Sequence, residues 1–117
     1  MPKVSVLMCV FNHGSRIKNS IDSIIEQTFT DFEFVIVNDG STDDSSLEVK
    51  KFISENNKEM FTLIVHEKNF GKTNAFISAF EMIKADYVIF MDGDYQDDPK
   101  EIPLLVEKIL LGYDVII

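Results

Sequence analysis

Residues 85–99, Ala-Asp-Tyr-Val-Ile-Phe-Met-Asp-Gly-Asp-Tyr-Gln-Asp-Asp-Pro, carry the pattern from which the fold of the whole chain can be read. The apolar run from Tyr87 to Met91 has the composition of a buried strand, and it stops abruptly at Asp92, Asp94, Asp97 and Asp98. Asp92 and Asp94 are two apart, so on extended backbone their side chains point the same way, and Gly93 between them lets the chain turn or a ligand approach. Two carboxylates facing one point suit a hard divalent cation such as Mg²⁺ or Mn²⁺, which shares oxygen ligands with phosphates. The same residues also suit a solvated turn, because Asp and Gly are common turn formers.

The chain has 117 residues, 45% hydrophobic and 26% charged, which fits one ordinary domain large enough to bury a core. Its net charge of −9 argues against a nucleic-acid backbone as partner, and any phosphorylated ligand must be met by a cation or a local basic group. Cys9, the sole cysteine, lies in an apolar run, which predicts a small buried hydrophobe and fits a reducing, cytoplasmic compartment. No signal segment opens the chain, and no apolar run reaches the roughly 18 residues of a membrane span.

Working outward, residues 4–11 form a β-branched apolar run closed by Asn12-His13-Gly14, a central strand and its turn. Ile17, Ile21, Ile24, Ile25 and Thr28 predict a first helix with one apolar face. A second strand over residues 32–37 ends at Asn38-Asp39-Gly40-Ser41-Thr42-Asp43, turn and capping residues for a helix carrying Leu47, Val49, Phe52 and Ile53. Residues 61–65 predict a third strand. A third helix follows, with the stripe Phe76, Ala79, Phe80 and Ile83. Asp98-Pro99-Lys100-Glu101 has the form of a helix start, but Pro103 would be costly in a second turn, so that first turn separates from a helix bearing Leu105, Val106, Ile109 and Leu110. Residues 113–117 predict a fifth strand.

This alternation implies a doubly wound, mainly parallel α/β sheet with helices on both faces, in three layers. Asn12, Asp39, His66 and Asp92 close successive strands at nearly equal spacing, so all four belong on the carboxyl edge, outside which open α/β sheets bind ligands. Asp31, Lys58 and Lys84 fall on the opposite edge. A dinucleotide fold needs a Gly-x-Gly-x-x-Gly turn after the first strand, which is missing, as is an NTPase phosphate loop. A phosphatase with an aspartyl nucleophile would carry its paired aspartates on the opening strand, which here ends in asparagine. A sugar-nucleotide enzyme uses the pair where it stands.

The chain resembles the nucleotide-binding half of a family two glycosyltransferase of the GT-A fold. The marks are the strand ending at Asn12, Val37-Asn38-Asp39-Gly40-Ser41-Thr42-Asp43, Asn69-Phe70-Gly71-Lys72 with Asn74-Ala75, and Asp92-Gly93-Asp94. The resemblance implies that Asp39 bonds the nucleobase, that the backbone near Val10, Phe11 and Asn12 cradles it, and that Lys72 lies near the nucleotide. It assigns Asp92 and Asp94 to ribose and metal, Mg²⁺ or Mn²⁺. Many members have Pro-Thr-Tyr-Asn where this chain has Cys9-Val10-Phe11-Asn12, so hydroxyl contacts to the base are lost and UDP- and GDP-linked donors both stay open. Asp94-Tyr95-Gln96-Asp97-Asp98-Pro99 also resembles the Asp-Leu-Gln-Asp-x-Pro run of members that glycosylate polyprenyl phosphates, which act in cell-envelope polysaccharide assembly at the inner face of the membrane.

The implied chemistry is inverting displacement at the anomeric carbon, with the metal supporting the leaving nucleoside diphosphate. Residues 1–117 are expected to be the donor half, the general base and acceptor site lying beyond residue 117, with apolar surface at 113–117 favouring a homodimer. A non-catalytic nucleotide-sugar binding module and a nucleotidyltransferase are the alternatives. His13 and His66 are expected to be plain loop or strand-end residues, lacking metal-ligand spacing.

Overall fold

A computed structural model describes residues 2–12, 16–43, 45–55, 59–92 and 98–116, with the side chains of Ser45, Ser46 and Asp92 also outside the description. The chain alternates β1 (Val4–Val10), α1 (Arg16–Glu26), β2 (Phe32–Asp39), α2 (Ser45–Glu55), β3 (Phe61–His66), α3 (Lys72–Phe80), β4 (Tyr87–Asp92), a 3-10 turn (Pro99–Glu101) and α4 (Ile102–Leu110). The four strands form one parallel sheet in the order β3-β2-β1-β4.

This order decides where the helices go. From β1 to β2 to β3 the chain moves one way across the sheet, and then β4 returns to the far side of β1; right-handed crossovers put helices of opposite travel on opposite faces. Accordingly Val4, Val6, Met8 and Val10 of β1 pack with Ile17, Ile21 and Ile24 of α1, Val49 and Phe52 of α2, and Ile102 and Val106 of α4. Leu7, Val35 and Val37 face Ala75 and Ala79 of α3 on the other side. The direction in which the connections travel across the sheet reverses between β1 and β4, while the strands stay parallel, which makes that junction the switch point where such sheets open a crevice.

Most expected elements form. Pro103 is accommodated at the start of α4, after the separate turn that Asp98 caps by accepting the Lys100 N–H at 3.0 Å. Several expectations need correction. At the centre of α3, Ala75 joins the expected Ala79, their small side chains letting the helix close on the sheet with Phe76 and Ile83 packed beside them, whereas Phe80 is exposed; the ring centroids of Phe76 and Phe80 lie 4.7 and 5.5 Å from that of Phe90. Leu47 of α2 and Thr28 beyond α1 are exposed, and Cys9 is only half-buried. Residues 113–116 form no strand: α4 ends at Leu110, Gly112 just beyond it takes the left-handed region (φ 105°), and the segment passes β4 unpaired. With β4 and α4 it lines a groove of about 450 Å³. No helix among the described residues is long and apolar enough to cross a membrane.

Candidate functional site

The register aligns the strand ends. Cys9 pairs with both Val37 and Asp92, Val10 with Asn38, and Asp39 with His66, so the backbones of Asn38, Asp39, His66 and Asp92 share the carboxyl edge and Asn12 follows just beyond β1. Phe11, also past the strand, is exposed, whereas the Val10 side chain is fully buried and can offer a ligand only its backbone.

Two turns on this edge are fitted together. Asn38 Oδ1 accepts the Ser41 N–H (3.1 Å), the Ser41 hydroxyl oxygen accepts the Asn12 N–H (3.0 Å), and Asn12 Oδ1 accepts the Thr42 N–H (2.8 Å). Asn12 holds φ 53°, a left-handed conformation that asparagine tolerates better than most residues. Gly40 has φ 74°, and a Cβ there would lie 2.2 Å from the Lys68 carbonyl carbon. Only glycine lets the turn after β2 meet the turn after β3 so closely.

Asp39 is the hub. Its side chain is 2% exposed, and it accepts the N–H groups of Phe70 on Oδ1 (3.0 Å) and Gly71 on Oδ2 (3.0 Å). His66 Nδ1 lies 2.8 Å from Oδ1, and His66 Nε2 lies 2.9 Å from the Ser78 hydroxyl of α3. Burial pushes the Asp39 carboxyl up, but the Phe70 N–H, His66 and the Gly71 N–H together hold it below its ordinary value, so it stays ionised in the site. The serine–histidine–aspartate order matches a nucleophilic relay. Ser78, however, sits inside α3 past its first turn, where backbone N–H groups bond back along the helix and cannot cradle an oxyanion.

The same hub sets the start of α3. Gly71, at φ 93°, precedes the helix and accepts the Ala75 N–H (3.0 Å), and Asn74 Nδ2 donates to the Phe70 carbonyl (2.7 Å). Lys72, in the first turn, carries its ammonium 5.8 Å from the centroid of the Phe76 ring. Lys68 lies similarly over Phe70, at 5.3 Å.

The sequence places His66 on the carboxyl edge but gives it no role beyond a plain strand end. The signal available was its position, closing β3 as Asp39 closes β2; the Ser78 contact arises only when α3 packs across the sheet. Asp94, Gln96, Asp97 and His13 lie outside the described residues, as does the Asp92 side chain. Among the described residues no group of three or more His, Cys, Asp or Glu is placed to hold a metal.

Residues 5–117 match the model of the family described as Glycosyl transferase family 2. Among curated relatives, the undecaprenyl-phosphate 4-deoxy-4-formamido-L-arabinose transferase of Pseudomonas fluorescens (strain SBW25) is 32% identical over 116 residues, 97% of this chain and 34% of the relative. That of Enterobacter sp. (strain 638) is 31% identical over 121 residues, 97% of this chain and 36% of the relative. The chain thus spans about a third of the length of these relatives. Among solved structures, the mannosyltransferase PcManGT from Pyrobaculum calidifontis, in complex with GDP-Man and Mn²⁺, superposes with TM-score 0.81 at 23% identity over 98% of this chain and 34% of that one. S. aureus TarS 1-349 in complex with UDP-GlcNAc gives 0.73 at 27% identity, over 92% and 31%. The parallel sheet, its carboxyl-edge turns and the family match agree: the chain belongs to glycosyl transferase family 2 and has the GT-A architecture.

Proposed function

We propose that this chain is the donor-binding part of an inverting, metal-dependent glycosyltransferase that moves a sugar from a nucleoside diphosphate to a polyprenyl phosphate. One observation carries the reading: an ionised, buried Asp39 holds the turn before α3 against the carboxyl edge of the sheet. The nucleobase lies against the backbone of Val10, Phe11 and Asn12. Asp39 has about four acceptor positions, three of them filled by the protein, so it offers the base one further position on Oδ2. The diphosphate lies toward Lys72 and the N-terminal turn of α3, where a phosphate offsets the unfavourable placement of a lysine at a helix start.

Asp92 and Asp94 would hold the cation, with Asp92 also near the ribose. When bound, Mg²⁺ or Mn²⁺ supplies charge neutralisation for the leaving diphosphate. In a chain of net charge −9 that contribution, together with Lys72, offsets the repulsion the phosphates would otherwise meet. The polyprenyl acceptor is supported by the names of the relatives and by the run from Asp94 to Pro99, and with such an acceptor the proposed activity belongs at the inner membrane face.

A thermal-shift titration tests the reading. UDP or GDP should raise Tm with Mn²⁺ present and not in excess chelator. Equal stabilisation in chelator removes the metal, and no stabilisation by either nucleotide removes the donor site.

A further inference from the structure

The imidazole of His66 touches each part that fixes the base-side turn. Nδ1 lies 2.8 Å from Asp39 Oδ1, Nε2 lies 2.9 Å from Ser78 Oγ, and the ring meets the Phe70 ring edge-on with centroids 5.4 Å apart. We propose that His66 is a positioning residue for nucleotide binding: it fastens the Asp39 carboxylate to the Phe70 and Gly71 amides and ties β3 to the helix that carries Lys72. This rests on the donor-site reading above.

The chemistry assigns the tautomer. A bare Nδ1 lone pair facing an ionised carboxylate at 2.8 Å would be repulsive, so the proton is on Nδ1 and is donated to Oδ1. In the neutral ring Nε2 is then an acceptor, and the Ser78 hydroxyl donates to it. The consequence is orientational. The terminal torsion of an aspartate is soft, and two amides on separate oxygens leave it a twisting freedom that a third donor from the side removes. With His66 in place, the acceptor position left on Oδ2 keeps one direction, and the Asn69–Gly71 turn keeps one distance from α3. Phe70 and Asn74, joined at 2.7 Å, carry that constraint into the first turn of the helix.

Two substitutions separate hydrogen bonding from packing. His66→Asn places an amide nitrogen near the position of Nδ1 and keeps the donor to Asp39; His66→Leu keeps apolar bulk and loses it. Titration calorimetry with UDP and with GDP, each with Mn²⁺, should give a Kd within about threefold of wild type for H66N and about tenfold or more weaker for H66L, the loss expected when a hydrogen bond to a charged group is removed. H66L binding like wild type, or H66N binding as poorly as H66L, overturns the positioning role alone. Wild type binding neither nucleotide overturns the donor-site reading and this inference with it. Should H66L not fold, ¹⁵N-resolved NMR of wild-type His66 decides: the Nδ1–H tautomer is expected with and without nucleotide, and an Nε2–H tautomer overturns the inference.

Discussion

His66 and Asp39 close adjacent parallel strands in register and meet side chain to side chain at 2.8 Å, with the carboxylate nearly covered. Parallel pairing puts the two residues at one level; the turn before α3 then closes over them and supplies two more donors.

Asp39 links stability to acid. Its folded pKa is lowered, so the unfolded chain binds its proton more readily; the stabilisation is present above the unfolded value and is lost as pH falls through the folded one. Urea midpoints should therefore fall below about pH 4, the ordinary aspartate range. Asp39→Asn, which presents an amide where three donors expect a carboxylate, should flatten this dependence and cost about 2–3 kcal/mol near neutrality. An unchanged acid limb in the variant would count against the assignment.

Gly40→Ala should be among the more damaging single changes on the carboxyl edge. It combines a left-handed backbone with a Cβ 2.2 Å from the backbone of Lys68, and strain plus overpacking should cost about 2–4 kcal/mol by chemical denaturation. A loss under about 1 kcal/mol would mean that the two turns separate freely.

Glu33→Ala should separate stability from binding. At the opposite edge Glu33 Oε1 accepts both the Ser5 hydroxyl and the Lys84 N–H at 2.6 Å, a buried clip between β1, β2 and the link from α3 to β4. Truncation leaves these donors unpaired and should cost about 2 kcal/mol. Nucleotide affinity measured well below the melting point should not change, because the clip lies across the sheet from the site.

Asp94→Asn should weaken Mn²⁺-dependent nucleotide binding by about tenfold while Tm without ligand stays within a few degrees, since removing one carboxylate weakens a hard-cation site without altering a core. The comparison is one calorimetric titration of each protein with UDP and Mn²⁺. Parental affinity in the variant would make Asp94 a turn residue.

Periodicity and strand-end residues determined the alternation of elements and the edge on which Asp39 and Asp92 belong, because apolar runs and polar stops are local properties of a chain. They also marked Pro99 and Pro103 as bounding a separate turn, since proline geometry is local too. The tertiary structure alone decided the strand order, and with it the switch point beside β1. It brought Ala75 to the sheet beside the expected Ala79 and left Phe80 exposed, because close packing selects the face by volume as well as by period. It left residues 113–116 unpaired, because a strand forms only when a partner edge is met. The Asp39–His66–Ser78 chain was likewise beyond the sequence: its members are 27 and 12 residues apart and become neighbours only through strand register and the packing of α3.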